Sequence, residues 1–148
     1  MDEALQHDLE RFVLAQDAAD SFATAVAELS AGAKKSHWMW WIFPQLKGLG
    51  TSQRAMYYGI NGADEARRYL LHPVLEARLL QVTQIVTELP TTDAVAVFGE
   101  VDAVKLQAAW TLFAAVATNP KPFEAGLAHY FAGAKHDATL AMLANESH

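Results

Sequence analysis

The chain contains no cysteine in its 148 residues. Disulfides and cysteine-based zinc sites are thereby excluded. It also lacks a long apolar run: Lys, Arg, Gln or Glu interrupts each hydrophobic stretch before it reaches the ~20 residues of a membrane helix. Positive charge is in the minority, with 11 Lys and Arg against 17 Asp and Glu and a net charge of −6. That balance argues against broad electrostatic binding to nucleic acid. The opening MDEALQHDLERF is acidic and has neither the basic start nor the apolar middle of a secretory signal, so a cytoplasmic location is expected, with no membrane partner. Several catalytic signatures are missing too. There is no G-x-S-x-G, no HExxH and no pair of histidines four residues apart. The glycines of GLGTS follow no strand and lack the spacing of a phosphate loop or dinucleotide fingerprint. No metal site and no cofactor is expected.

What is present is a globular composition, 52% hydrophobic and 19% charged, long enough to bury a core within one domain spanning residues 1–148. No repeat, low-complexity tract or long linker divides it. The apolar periodicity is helical nearly throughout. Leu9, Phe12 and Val13 form one stripe, with Asp8 as an expected N-cap. Phe22, Val26 and Leu29 form a second, stopped at Gly32. Ser52 or Thr51 can cap a short helix through QRAMYY. DEARRYLL follows, with acids in its first turn. Pro73 opens the clearest helix, in which Leu75, Leu79, Val82, Val86 and Leu89 step by four and three and Pro90 marks the end. TTDAVAVFG is a short helix closed by Gly99. Val101–Thr118 is apolar on nearly every side and is predicted to be the most buried helix. Two more helices end the chain, one from Pro122 to Gly133 and one capped by Asp137. The expected fold is all-α, a bundle of about eight helices with short connections.

The densest signal is KKSHWMWWIFPQLKGLG, residues 34–50, in which three tryptophans, Phe43 and His37 fall within seven positions. A helix capped by Ser36 and ended near Pro44 places His37, Trp40 and Trp41 on one face. Such a helix has no polar side and reads first as a core plug. Yet buried indoles and a histidine need hydrogen-bond partners, Gln45 follows the helix end, and two glycines allow close backbone approach. An aromatic wall with a few convergent polar groups is the usual make-up of a small-molecule pocket. The expected division is therefore Trp38, Met39, Ile42 and Phe43 in the core, with His37, Trp40 and Gln45 edging a pocket. Arg54, Tyr58 and Lys105 add donors, and Lys34, Lys35, Lys47 and Arg54 make the surroundings locally basic. A small anionic ligand fits that charge. His37 is the best general acid–base candidate, since burial among indoles perturbs a histidine. Lys105 has Asp102 three residues earlier as a partner for an ordinary ion pair.

The stretch SHWMWWIFPQLKGLG resembles the signature of the domain of unknown function 1810 family. DLERFVLAQ, YYGI, HPVLEARL and FGEVDAVKLQAAWTLF extend that resemblance over most of the chain. It implies a mainly helical protein and no particular activity. Two departures from the family pattern stand out: Trp41 where Phe is more usual, and Ala108-Ala109-Trp110 where Ser-Ser-Met precedes TLF. Three readings follow. The aromatic segment binds a nucleoside-like, nucleotide-like or anionic small molecule, with or without hydrolytic chemistry. Alternatively the chain is a non-catalytic helical interaction module for a protein partner. In the third, the segment only maintains the fold.

Overall fold

The computed structural model describes residues 2–146, with side chains from residue 9 onward. Among these residues the chain forms ten α-helical segments and no strand: α1 Asp2–Asp17, α2 Ser21–Ser30, α3 Met39–Ile42, α4 Gln53–Tyr58, α5 Gly62–Leu71, α6 Pro73–Thr87, α7 Ala94–Phe98, α8 Glu100–Val116, α9 Lys121–Phe131 and α10 Asp137–Asn145. The all-α expectation holds, with ten helical segments where about eight were expected. Three of them are short: α3, α4 and α7 are helices of four, six and five residues. Among the described residues no helix is long and apolar enough to cross a membrane.

Helix α8 lies at the centre. Leu106, Trp110, Leu112 and Phe113 are completely buried in it, while Val101 and Val104 in its first turns face outward. Around it pack α9, α7 and α5, and α6 packs against α9 and α2. The α6 stripe of Leu75, Leu79, Val82 and Val86 is buried as its spacing requires. Trp110, the residue that departs from the family pattern, donates its indole N–H to Thr83 Oγ1 at 3.1 Å. Its ring lies flat enough on α9 that a Cβ at Gly126 would sit 2.8 Å from it. A large indole in the centre is thus accommodated by a missing side chain on the neighbouring helix.

Several helix ends differ from expectation. Helix α1 begins at Asp2, so Asp8 falls inside it rather than at its cap; the side chains of His7 and Asp8, and all of His148, lie outside the described residues. Ser52 caps α4 as expected, accepting from the N–H of Ala55. At α10 the cap is His136, not Asp137: His136 Nδ1 accepts from the Thr139 N–H. Asp137 occupies the first helical position instead, where its charge suits the dipole. An N–H can only donate, so Nδ1 is unprotonated, and the Thr139 hydroxyl at 2.8 Å donates to it as well. His72 caps α6 in the same way, with Pro73 following as the first helical residue.

The His136 cap carries a pH dependence. Burial pushes its pKa below the ordinary 6.5, against the opposing pull of Asp137. The unfolded chain therefore binds the proton more readily. The cap's contribution is present above pH ~6.5 and is lost as the pH falls below it. A cap of this kind is worth about 0.5–2 kcal/mol. His136→Asn keeps an acceptor that does not titrate, so urea denaturation should show a flatter stability profile between pH 7 and pH 5 than the wild type. Parallel profiles would show that the cap does not titrate in this range.

Candidate functional site

The aromatic segment does not form the eight-residue helix that its spacing suggests. Glu28, near the end of α2, accounts for this. Its carboxylate accepts the backbone N–H groups of Lys35 and Ser36 at 2.8 and 2.9 Å, the Ser36 hydroxyl and the Trp38 indole N–H at 3.0 Å. Ser36 is thus engaged by a side chain from another helix and caps nothing. The chain turns at Ser36 and His37, and α3 starts only at Met39, with no side-chain cap at Trp38. Burial would push the Glu28 carboxyl up, but the Ser36 hydroxyl, the two backbone N–H groups and the Trp38 indole outweigh it and hold its pKa at about 2. No spacing rule points to Glu28; its role exists only once α2 and the aromatic segment meet.

The segment divides as its residue types imply. Trp38, Met39, Ile42 and Phe43 are buried to within 2% exposure, and Phe43 meets Phe98 and Trp110 edge-on at 5.9 and 6.1 Å. Trp40 and Trp41 are half-buried. Trp41 uses the polar atom that phenylalanine would lack, donating to Ser21 Oγ at 2.8 Å. Its carbonyl accepts from the buried Gln16 of α1 at 2.8 Å.

Trp40 carries two cations. The Arg54 guanidinium carbon lies 5.0 Å from its ring centroid, and Lys105 Nζ lies 4.6 Å from it. Cations at this range are held by the electron-rich ring face. Lys105 also reaches Asp102 at 3.5 Å, the pair expected from their spacing. Asp102 is shared, because Lys34 Nζ takes its other oxygen at 2.8 Å. Lys34 is itself tied to the Ser36 carbonyl and lies over Trp38, 4.8 Å from the ring centroid. Two lysines therefore meet one carboxylate beside two indoles, with Arg54 a third cation over Trp40, in a chain that is acidic overall.

Of the six candidate residues, Trp40, Gln45, Tyr58 and Lys105 line one crevice with Met39 and Phe43, and Arg54 rests on the Trp40 ring. His37 is not with them. Because α3 begins two residues beyond it, His37 points into a separate open groove of about 430 Å³, beside Thr24 and Trp41. It is exposed, so the burial among indoles that made it an acid–base candidate is absent. Tyr58 borders both spaces and also a shallow depression of about 770 Å³ with Lys47, Arg54 and Tyr57. Burial pushes the Tyr58 hydroxyl above its ordinary pKa, with Tyr57 adding to the rise and Arg54 and Arg11 opposing it.

The crevice is narrow, about 10 Å³, room for one water at most. Its walls are drawn together by the loop after α3. Ile60 donates to the Gln45 carbonyl and Lys47 to the Ile60 carbonyl, both at 2.9 Å. A Cβ at Gly59 would lie 2.5 Å from Lys47 Cα, so only glycine allows this approach. Gly50 approaches α4 in the same manner, 2.8 Å from the Ala55 methyl for a Cβ built there. Of the glycines in KGLG, Gly50 thus admits a neighbouring helix.

A family model described as a protein of unknown function, DUF1810, matches residues 6–143. The crystal structure of the conserved hypothetical protein Rv1873 from Mycobacterium tuberculosis is similar to this chain, with 43% identity, a TM-score of 0.89 and coverage of 93% of this chain and 96% of that one. No curated protein matches the chain.

Proposed function

The chain belongs to the DUF1810 family, whose description assigns no activity, and on that premise we propose that it binds a small molecule on the Trp40 platform. The ligand class is a planar ring of nucleoside or nucleotide type, or a small anion. Gln45 and Tyr58 flank the ring, and Arg54 and Lys105 supply positive charge. The observation that carries this reading is the pair of cations on one half-buried indole.

The closed crevice defines how a ligand enters. Arg54 is exposed and belongs to a helix of six residues. Its guanidinium lines the open depression and also rests on Trp40. Moving it outward would join the depression to the ring face. A planar ligand then takes the place of the guanidinium on the indole, and the displaced cation remains beside it to meet an anionic group. Binding positions donors without supplying a nucleophile, so the reading is a binding protein.

A metabolite library screened by thermal shift tests this. A ligand present at about 100 times its Kd should raise the midpoint of a chain this size by about 5–10 °C. Trp40→Ala should keep the helical spectrum and lose that shift. A library of ring compounds and anions without effect, or a shift that survives Trp40→Ala, would sink the proposal. The interaction-module reading draws on a different observation, the exposure of Met56 and Tyr57 on α4. A partner covering α4 would bury both.

A further inference from the structure

The charges around Trp40 narrow the ligand class further, given the platform reading above. Arg54 and Lys105 touch the Trp40 ring. Lys34 joins them through Asp102, which bridges both lysines at 2.8 and 3.5 Å. Asp102 supplies one negative charge to two ammonium groups, and no carboxylate among the described residues pairs with Arg54. Glu28, on the other side of Trp38, is saturated by neutral donors, and the backbone N–H of Lys35 is among its partners. With Lys34 and Asp102 taken as a pair, Arg54 and Lys105 on the Trp40 ring leave two positive charges in excess. A lone carboxylate or a neutral nucleoside would match at most one of these two charges.

We propose that this site takes a phosphate monoester carried on a planar ring, the mononucleotide class, as its dianion. The ring replaces the Arg54 guanidinium on the Trp40 face. Arg54, whose planar fork matches phosphate oxygens two at a time, then grips the phosphate from the solvent side. Lys105 meets it as a point charge. Lys105 holds Asp102 at the longer of the two distances, and Lys34 keeps the carboxylate when Lys105 turns to the ligand. The aspartate thereby serves as an internal placeholder for the anion.

Isothermal titration with adenosine 5′-monophosphate, adenosine, adenosine 5′-sulfate and inorganic phosphate tests this at fixed salt. The sulfate ester has nearly the same shape with one charge instead of two. The monophosphate should bind at least tenfold more tightly than the nucleoside and the sulfate ester at pH 7.5. That advantage should shrink below pH ~6, where the phosphate takes up its second proton. Arg54→Gln and Lys105→Gln should each remove most of the monophosphate's advantage over the nucleoside. Thermal unfolding of both variants without ligand verifies that they are folded. Equal affinity for adenosine and its monophosphate would overturn the dianion proposal and leave the ring platform standing. Inorganic phosphate binding as tightly as the monophosphate would overturn it as well, because the ring would then contribute nothing. Heat from none of the four would overturn both the proposal and the platform.

Discussion

Glu65→Ala is expected to destabilise the protein by about 3–5 kcal/mol, the loss typical when one member of a buried ion pair is removed. Glu65 and Arg11 are both almost fully buried. The Arg11 guanidinium donates to both carboxylate oxygens, at 3.0 and 3.2 Å. It also donates to the carbonyls of Tyr57 and Gly59 at 2.8 and 2.9 Å. Glu65 in turn accepts the Asn61 N–H at 2.9 Å. Truncating the glutamate takes a carboxylate from a buried guanidinium, and the desolvation of that charge is then less fully offset. Glu65→Gln keeps the shape and one acceptor and should cost less. Urea denaturation with unchanged m-values is the measurement. A loss below about 1 kcal/mol would place water on Arg11 and refute the account of a dry ion pair. The consequence reaches the candidate site, because the carbonyls that Arg11 holds end the helix carrying Arg54 and Tyr58. A loosened α4 should weaken the proposed ligand binding before the protein unfolds.

How far the sequence reached is visible in particular residues. The α6 stripe was legible because a helix facing a core repeats its demand every three or four residues, and Leu75, Leu79, Val82 and Val86 answer it. The aromatic segment obeyed the same spacing and yet is not a long helix. Its N–H groups at Lys35 and Ser36 found the Glu28 carboxylate before they found a helical turn. That competition is tertiary, and no local pattern contains it. One displaced helix start was enough to send His37 outward while leaving Trp40 in place. Asp102 was readable as a partner for Lys105 three residues on, but its stronger contact with Lys34 crosses from a distant loop. Arg11 and Gln16 left a clue that went unread: they share the buried side of α1 with Phe12, and polar residues on such a stripe need partners from elsewhere. Gln16 finds Trp41 and Arg78, and Arg11 finds Glu65.

Trp38→Ala should lower stability by about 3–5 kcal/mol, the range for truncating a buried aromatic side chain. Three losses add there. The ring is 1% exposed and its removal leaves a cavity too well walled to collapse fully. Glu28 loses its indole donor, so one of the four hydrogen bonds that keep its carboxyl ionised down to about pH 2 disappears. Lys34 loses the ring that it lies over. Trp38→Phe separates these contributions, since it fills most of the space and keeps a ring for Lys34 but donates nothing to Glu28. It should fall between the wild type and the alanine variant, and its loss relative to the wild type should be larger at pH 7 than at pH 3. Glu28 has a folded pKa below its ordinary 4.5, so its contribution is present above that value and fades as the pH falls through it toward the folded pKa. With the indole donor gone the folded pKa moves up, so less of this contribution is present at pH 7 and the gap to the wild type narrows as the pH falls below 4.5. Denaturation curves of the three proteins at both pH values decide the matter. If Trp38→Ala unfolds within about 1 kcal/mol of the wild type, the indole is not core. The two tryptophans stand two residues apart and differ in one respect that matters physically. The Trp38 N–H is used inside the protein, which fixes its ring in the core, whereas Trp40 holds two long, polar-ended side chains by its face.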